Sequence, residues 1–246
     1  MTAAATDSDY IRSFNRFEFK YVVTEQKARE LALGLEGYTY SDPYSGPQGY
    51  PVYSVYWDSE GLTFFWEKID GEKYRRKLRF RHYRGTESVF IEIKQRIDRT
   101  VQKRRVLWPA DRTEALFGNG SIDPLVEAEV EDRTVQEALF LARHYGLKPM
   151  MAIGYQRQAL FAQNESDLRI TFDRRLQYDA HSLDIRRPFE SGKYLLDPSL
   201  VVVEVKFNNC VPLWLVRLLQ RLRFDLVRFS KYCSAVDREF FGGQIS

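Results

Sequence analysis

The sequence predicts an α+β chain in which helices lie outside a strand-built sheet or barrel, and three observations carry that expectation. Eight segments alternate apolar and polar residues with period two, the pattern of half-buried strands. Six others carry apolar residues at helical spacing. The composition, 44% apolar with 15% aromatic residues, supplies a substantial core, while 29% charged residues supply a polar surface.

Residues 1–10 are small and polar and read as a loose tail, as do 242–246, leaving 11–241 as one domain. The first strand spans Arg16–Val22 and leads into a helix over Thr24–Leu35. Ser41–Pro51 (SDPYSGPQGYP) concentrates proline and glycine and reads as a connecting loop. A strand over Tyr50–Asp58 precedes helical spacing through Lys68. Three strands, Tyr74–Tyr83, Ser88–Arg96 and Thr100–Trp108, then follow one another closely. A short helix at Arg112–Phe117 and a break at Phe117–Pro124 (FGNGSIDP) separate them from a longer helix over Pro124–Tyr145. Strands at Ala152–Phe161, Leu168–Arg174 and Leu200–Phe207 come next, and helices at Pro212–Phe224 and Phe229–Phe240 close the chain.

Several chemistries are disfavoured. Cys210 and Cys233 are too few for a disulfide framework, and three scattered histidines, His82, His144 and His181, give no metal-ligand spacing. No GxxxxGK[ST] or GxGxxG loop is present. No apolar run approaches the roughly 20 residues of a membrane-spanning helix, and residues 1–9 lack the basic and apolar regions of a signal peptide. The expected setting is the cytoplasm, with no membrane segment.

The 37 basic and 34 acidic residues nearly cancel to +3, so their placement carries the information. Successive strand side chains face opposite sides. Arg16, Glu18 and Lys20 therefore share one face and Phe17, Phe19 and Tyr21 the other. Arg75, Lys77, Arg79 and Arg81 form a second basic row. Glu92 with Lys94, Arg157 beside Tyr155, Arg169 with Asp173, and Glu204 with Lys206 repeat the pattern. The simplest reading turns each charged row to solvent. The enrichment in arginine and the recurring glutamates favour another, in which the strands close, the apolar rows meet the helices, and the charged rows converge on a polyanion.

RFEFKY at 16–21, KLRFRHY at 77–83, FIEIK at 90–94, LRITFD at 168–173, VVEVKF at 202–207 and RFSKY at 228–232 together resemble the VTC domain. This is the polyphosphate polymerase domain of the vacuolar transporter chaperone family, within the triphosphate tunnel (CYTH-like) superfamily. The resemblance runs from about Arg16 to Phe240 in the family's order. It implies an antiparallel β-barrel tunnel with helices packed outside and a basic lining. ATP and inorganic polyphosphate are the implied partners, and nucleic acid is not expected.

Carried across by motif, Arg16 and Lys20 resemble first-strand phosphate ligands, and Arg79 and Arg81 the arginine pair of the third predicted strand. Lys94 matches the lysine of an E-x-K strand, and Arg169 the arginine before S/T-x-D; Arg157 and Lys206 are further phosphate-facing candidates. Glu204 resembles a metal-binding glutamate, for Mn²⁺ or Mg²⁺. Ser230 and Lys231 resemble a Ser-Lys pair that reaches back into the tunnel. The E-x-E-x-K opening of the superfamily is Arg16, Glu18, Lys20 here, which agrees with the polymerase branch more than with triphosphatases or cyclases. The implied activity is transfer of the ATP γ-phosphate to a growing polyphosphate. Hydrolysis of triphosphate or short polyphosphate, and binding of polyphosphate without turnover, are the alternatives.

Overall fold

The computed structural model describes residues 13–14, 17–46, 48–83, 86–98, 100–117, 130–165, 167–186 and 192–245. Its strands are β1 (Ser13–Phe14), β2 (Phe17–Thr24), β3 (Thr39–Ser41), β4 (Tyr50–Asp58), β5 (Tyr74–Tyr83) and β6 (Ser88–Ile97). They continue with β7 (Thr100–Pro109), β8 (Lys148–Ala162), β9 (Arg169–Asp179), β10 (Lys193–Tyr194) and β11 (Leu200–Phe207). All pair antiparallel in one sheet of order β1-β7-β6-β5-β4-β8-β9-β11-β2, with β3 added to β8 and β10 to β9.

The sheet is curled. β1 lies at one edge and β2 at the other, yet only residues 15 and 16 separate them in the chain. Lys94 on β6 and Glu18 on β2 lie 3.6 Å apart although six strand pairings intervene along the path. Among the described residues no ladder joins β7 to β2, so curvature and the chain itself, not hydrogen bonding, bring the edges together to form the tunnel.

One face of each of the long strands is apolar and meets helices. α1 (Glu25–Gly34) and α5 (Leu213–Arg221) lay Ala28, Leu31, Leu215 and Leu218 against Val201, Val203, Val205, Ile170 and Phe172. α2 (Thr63–Ile69), α3 (Ala110–Phe117) and α4 (Arg133–Tyr145) cover Leu78, Phe80, Ile91 and Ile93 with Phe64, Leu116, Val135 and Leu139. α6 (Lys231–Phe240) fills one end, where Tyr232, Cys233 and Val236 pack on Tyr56, Ile153, Leu176 and Tyr178. A fully buried side chain of this size contributes about 1.5–3 kcal/mol, so these rows hold the outer layers on the sheet and commit the charged rows to its inside.

Several boundaries differ from the sequence expectation. The helix expected from Pro124 begins at Arg133, because the Asp132 side chain accepts from the Thr134 and Val135 N–H groups and caps it; residues 118–129 lie outside the described ones. The helix expected to reach Phe224 ends at Arg221, and Arg223 takes a left-handed φ of 53° that no helix continues through. β9 runs on to Asp179, past the expected Arg174. A bulge on β9 itself, where Arg175 (φ 50°) and Leu176 stand opposite Tyr155 alone, shifts the alternation that defines a strand in sequence.

Candidate functional site

The inner face is the register of the ladder made visible. Residues paired across an antiparallel ladder share a face. Glu204 pairs with Lys20 and Thr171, Lys206 with Glu18 and Arg169, and Arg157 with Asp173. On the other wall Arg79 pairs with Glu92, Glu92 with Arg105, and Lys94 with both Lys77 and Lys103. Every one of these side chains points into the tunnel.

Cations converge on two buried carboxylates. Glu204 receives Lys206 at 2.6 Å, Lys231 at 2.7 Å, Arg157 at 3.5 Å and Lys20 at 3.8 Å. Glu92 receives Lys103 at 2.5 Å, Arg79 at 2.7 Å, Arg81 at 3.7 Å and Arg105 at 4.0 Å. Asp173 takes both arms of Arg157 at 2.6 Å and Lys231 at 2.7 Å. Glu18 bridges Lys20 at 3.0 Å and Lys94 at 3.6 Å, tying the two walls together. Arg169 contacts Asp42 at 3.2 Å and the Tyr50 hydroxyl at 3.3 Å.

The protonation states follow from this crowding. Burial pushes Glu204 and Glu92 up, but the surrounding lysines and arginines hold both well below the usual carboxylate range. Burial disfavours the Lys231 ammonium, and Asp173 and Glu204 more than restore it. Burial brings Lys103 down to about 8 despite Glu92. Burial pushes the Tyr56 phenol up, yet Arg79, Arg81 and Lys77 bring it down to about 8. The tunnel therefore rests with Glu18, Glu92, Asp173 and Glu204 ionised and with positive charge in excess.

Two polar atoms of the inner wall, Thr171 Oγ1 and Arg169 Nε, are buried without a hydrogen-bond partner among the described residues. Buried polar groups are nearly always satisfied, and both belong to strand positions that line the tunnel. A ligand rich in acceptor oxygens would satisfy them.

The structure brings Lys20, Arg79, Arg81, Lys94, Arg157, Arg169, Lys206, Lys231 and Glu204 onto this one surface. Arg16 lies outside the described residues. Ser230 sits at the edge, where its hydroxyl caps α6 by accepting from the Cys233 N–H at 3.3 Å and also accepts from Lys77 at 2.9 Å. Lys77, Lys103, Arg105, Thr171, Asp173 and Tyr56 belong to the surface as well and were not among the candidates. Lys77 and Asp173 were legible as members of charged rows. Lys103 and Arg105 were hidden in the run Lys103-Arg104-Arg105, where Arg104 faces the other way and pairs with Glu137.

As to a metal, no group of three or more His, Cys, Asp or Glu among the described residues could hold one unaided. Mg²⁺-like ions are commonly bound by one or two carboxylates together with substrate phosphates. Glu204 fits that arrangement, since phosphates entering the tunnel would take over the cations that now occupy its oxygens.

The sequence matches the VTC domain family model over residues 15–240. The chain belongs to the VTC domain family. That match takes in every element from β2 to α6, and so the whole of the tunnel wall described here apart from β1. No curated protein is matched by the sequence. Among solved structures, a Pyrococcus horikoshii protein aligns at 12% identity and TM-score 0.47, covering 92% of this chain and 98% of its own. A candidate adenylate cyclase from Vibrio parahaemolyticus aligns at 12% identity and TM-score 0.46, over 91% of this chain and 98% of its own. A candidate adenylyl cyclase from Hippeastrum with a dominant triphosphatase activity aligns at 14% and 0.49, over 90% and 94%. No helix among the described residues is long and apolar enough to cross a membrane.

Proposed function

We propose that this VTC domain is a polyphosphate polymerase that transfers the γ-phosphoryl group of ATP to the end of a polyphosphate chain held in the tunnel. The observation that carries the reading is the pair of oversubscribed carboxylates: Glu204 and Glu92 each face four cations. A polyanion entering between them exchanges internal ion pairs for phosphate contacts without stripping any carboxylate of all its partners.

Phosphoryl transfer needs positioning and neutralisation of the equatorial oxygens more than it needs a protein nucleophile. Arg79, Arg81, Arg157 and Arg169 supply planar, bidentate donors, and Lys20, Lys94, Lys206 and Lys231 act as point charges. A terminal phosphate oxygen of the chain attacks the γ-phosphorus in line. The bond from that phosphorus to the β,γ-bridging oxygen breaks, its electron pair leaves on ADP, and the chain is one phosphate longer. Bound Mn²⁺ or Mg²⁺, with Glu204 as its protein ligand, would add neutralisation of the phosphate oxygens.

Hydrolysis is the second reading, with water as the acceptor. Activating that water calls for a free carboxylate, and among the described tunnel residues Glu18, Glu92, Asp173 and Glu204 are all ion-paired. Incubation of the purified protein with ATP and Mn²⁺, resolved on a gel stained for polyphosphate, separates the two. A ladder accompanied by ADP, lost in Glu204→Gln and Arg79→Ala, is the expected result. Free phosphate without a ladder would move the assignment to hydrolysis.

A further inference from the structure

The cationic lining of the tunnel does not stop at its edge. β5 and β6 pair so that Lys77 faces Lys94, and one alternate step outward, about 7 Å along the strands, Arg75 faces Arg96. Like charges directly opposite on a ladder repel, yet here two successive rungs carry them. Lys68, in the last turn of α2, adds a third charge beside the outer rung. Burial lowers its pKa first, with Arg75 next in effect, and Arg75 is lowered by burial and then by Arg96.

No carboxylate among the described residues answers them. Among the described residues neither Lys68 nor Arg75 makes a salt bridge, and Arg96 donates from Nε to the Asp98 carbonyl at 2.7 Å, a backbone contact within its own turn. Some exposed cations elsewhere are matched, as in Lys148 with Glu60 at 2.5 Å and Lys193 with Glu239 at 2.7 Å. The opposite mouth is matched too: Arg169 there is engaged by Asp42 and by Tyr50, whose ring lies 6.0 Å from that of Tyr83. The two ends of the tunnel thus differ: one has paired charge and an aromatic rim, and the other has this outer rung beside the start of α6, where Lys77 donates to Ser230.

Resting on the phosphate-chain reading above, we propose that Lys68, Arg75 and Arg96 form a separate subsite that holds the part of a polyphosphate emerging from the tunnel. A triphosphate seated on the inner residues has no phosphate left to reach the outer rung. Only a longer chain spans both, so the subsite selects for length and keeps a growing product attached between additions.

The test titrates tripolyphosphate and a long-chain polyphosphate separately into the wild-type protein and into Arg75→Glu/Arg96→Glu. Arg75→Gln/Arg96→Gln and melting temperatures serve to separate charge from misfolding. In the variants, long-chain affinity should fall roughly tenfold or more and its salt dependence should flatten by about one to two in logarithmic slope, while tripolyphosphate affinity stays unchanged. Unchanged long-chain affinity in both variants would overturn the subsite, as would an equal loss for both ligands. Wild-type protein binding neither ligand would sink the tunnel reading itself, a result distinct from these. Duplex DNA displacing long-chain polyphosphate from the wild type as well as polyphosphate does would overturn the assignment in favour of a nucleic-acid surface.

Discussion

At the scale of single residues, the tunnel is governed by how few carboxylates serve how many cations. Asp173 is fully buried and takes both arms of Arg157, itself 9% exposed at the side chain. Removing one partner of such a pair leaves a buried charge poorly answered. Asp173→Asn should therefore cost about 3 kcal/mol of stability, read as a lowered midpoint in urea unfolding, because Glu204 at 3.5 Å is then the nearest carboxylate to Arg157. Lys103 and Tyr56, both brought to about 8, make binding pH-dependent. Below that pH Lys103 is charged and Tyr56 neutral; above it Lys103 is neutral and Tyr56 anionic. Both changes remove positive charge, so phosphate-chain affinity should fall as pH rises through about 8. A bound polyanion favours the protonated form of each, and calorimetry near pH 8 in buffers of different ionisation enthalpy should show proton uptake. Affinity that stays flat from pH 7 to 9 would contradict these assignments.

At the scale of elements, α6 is the part that delivers a tunnel residue from outside the sheet. Its first residue, Lys231, reaches Glu204 and Asp173, while the next, Tyr232, donates its hydroxyl to the buried Asp58 at 2.5 Å and stacks on Tyr56. Asp58 also accepts from the backbone of Ser59, Phe64 and Phe65, so one carboxylate fixes β4, α2 and α6 to each other. Tyr232→Phe deletes one hydrogen bond to a charged group and should cost about 2 kcal/mol. It should also lower turnover by loosening Lys231, measured as a fall in kcat larger than that of a surface substitution of equal stability cost. Most of this level was legible beforehand. The rows on β2, β5, β6 and β11 alternate without interruption, so parity put Lys20, Arg79, Arg81, Lys94 and Glu204 on charged rows, and the resemblance to the VTC domain implied that these rows meet in one tunnel. What was not legible has physical causes: β3 and β10 are three and two residues long and carry no period, a bulge at Arg175 resets the parity of β9, and the Lys103-Arg104-Arg105 run reads as basic on both faces.

At the scale of the whole molecule, the fold confines positive charge in excess and bears the repulsion. Helix-covered apolar rows on the outer face offset it; a polyanion inside would remove it. Tripolyphosphate at a hundredfold over its Kd should accordingly stabilise the native state by about 2.7 kcal/mol, visible as a rise in Tm that fades as salt is added. The curled sheet explains why the effect belongs to the assembled fold: Lys94 and Glu18 approach only because the two edges of the sheet have been brought round. The most direct test of the central claim is a calorimetric titration of tripolyphosphate into the wild-type protein at low and at moderate salt. A one-to-one complex whose affinity falls steeply with salt, and which is lost in Arg79→Ala/Arg81→Ala, is the predicted result. No binding at low salt, or binding that the double substitution leaves intact, would contradict a phosphate chain seated between these walls.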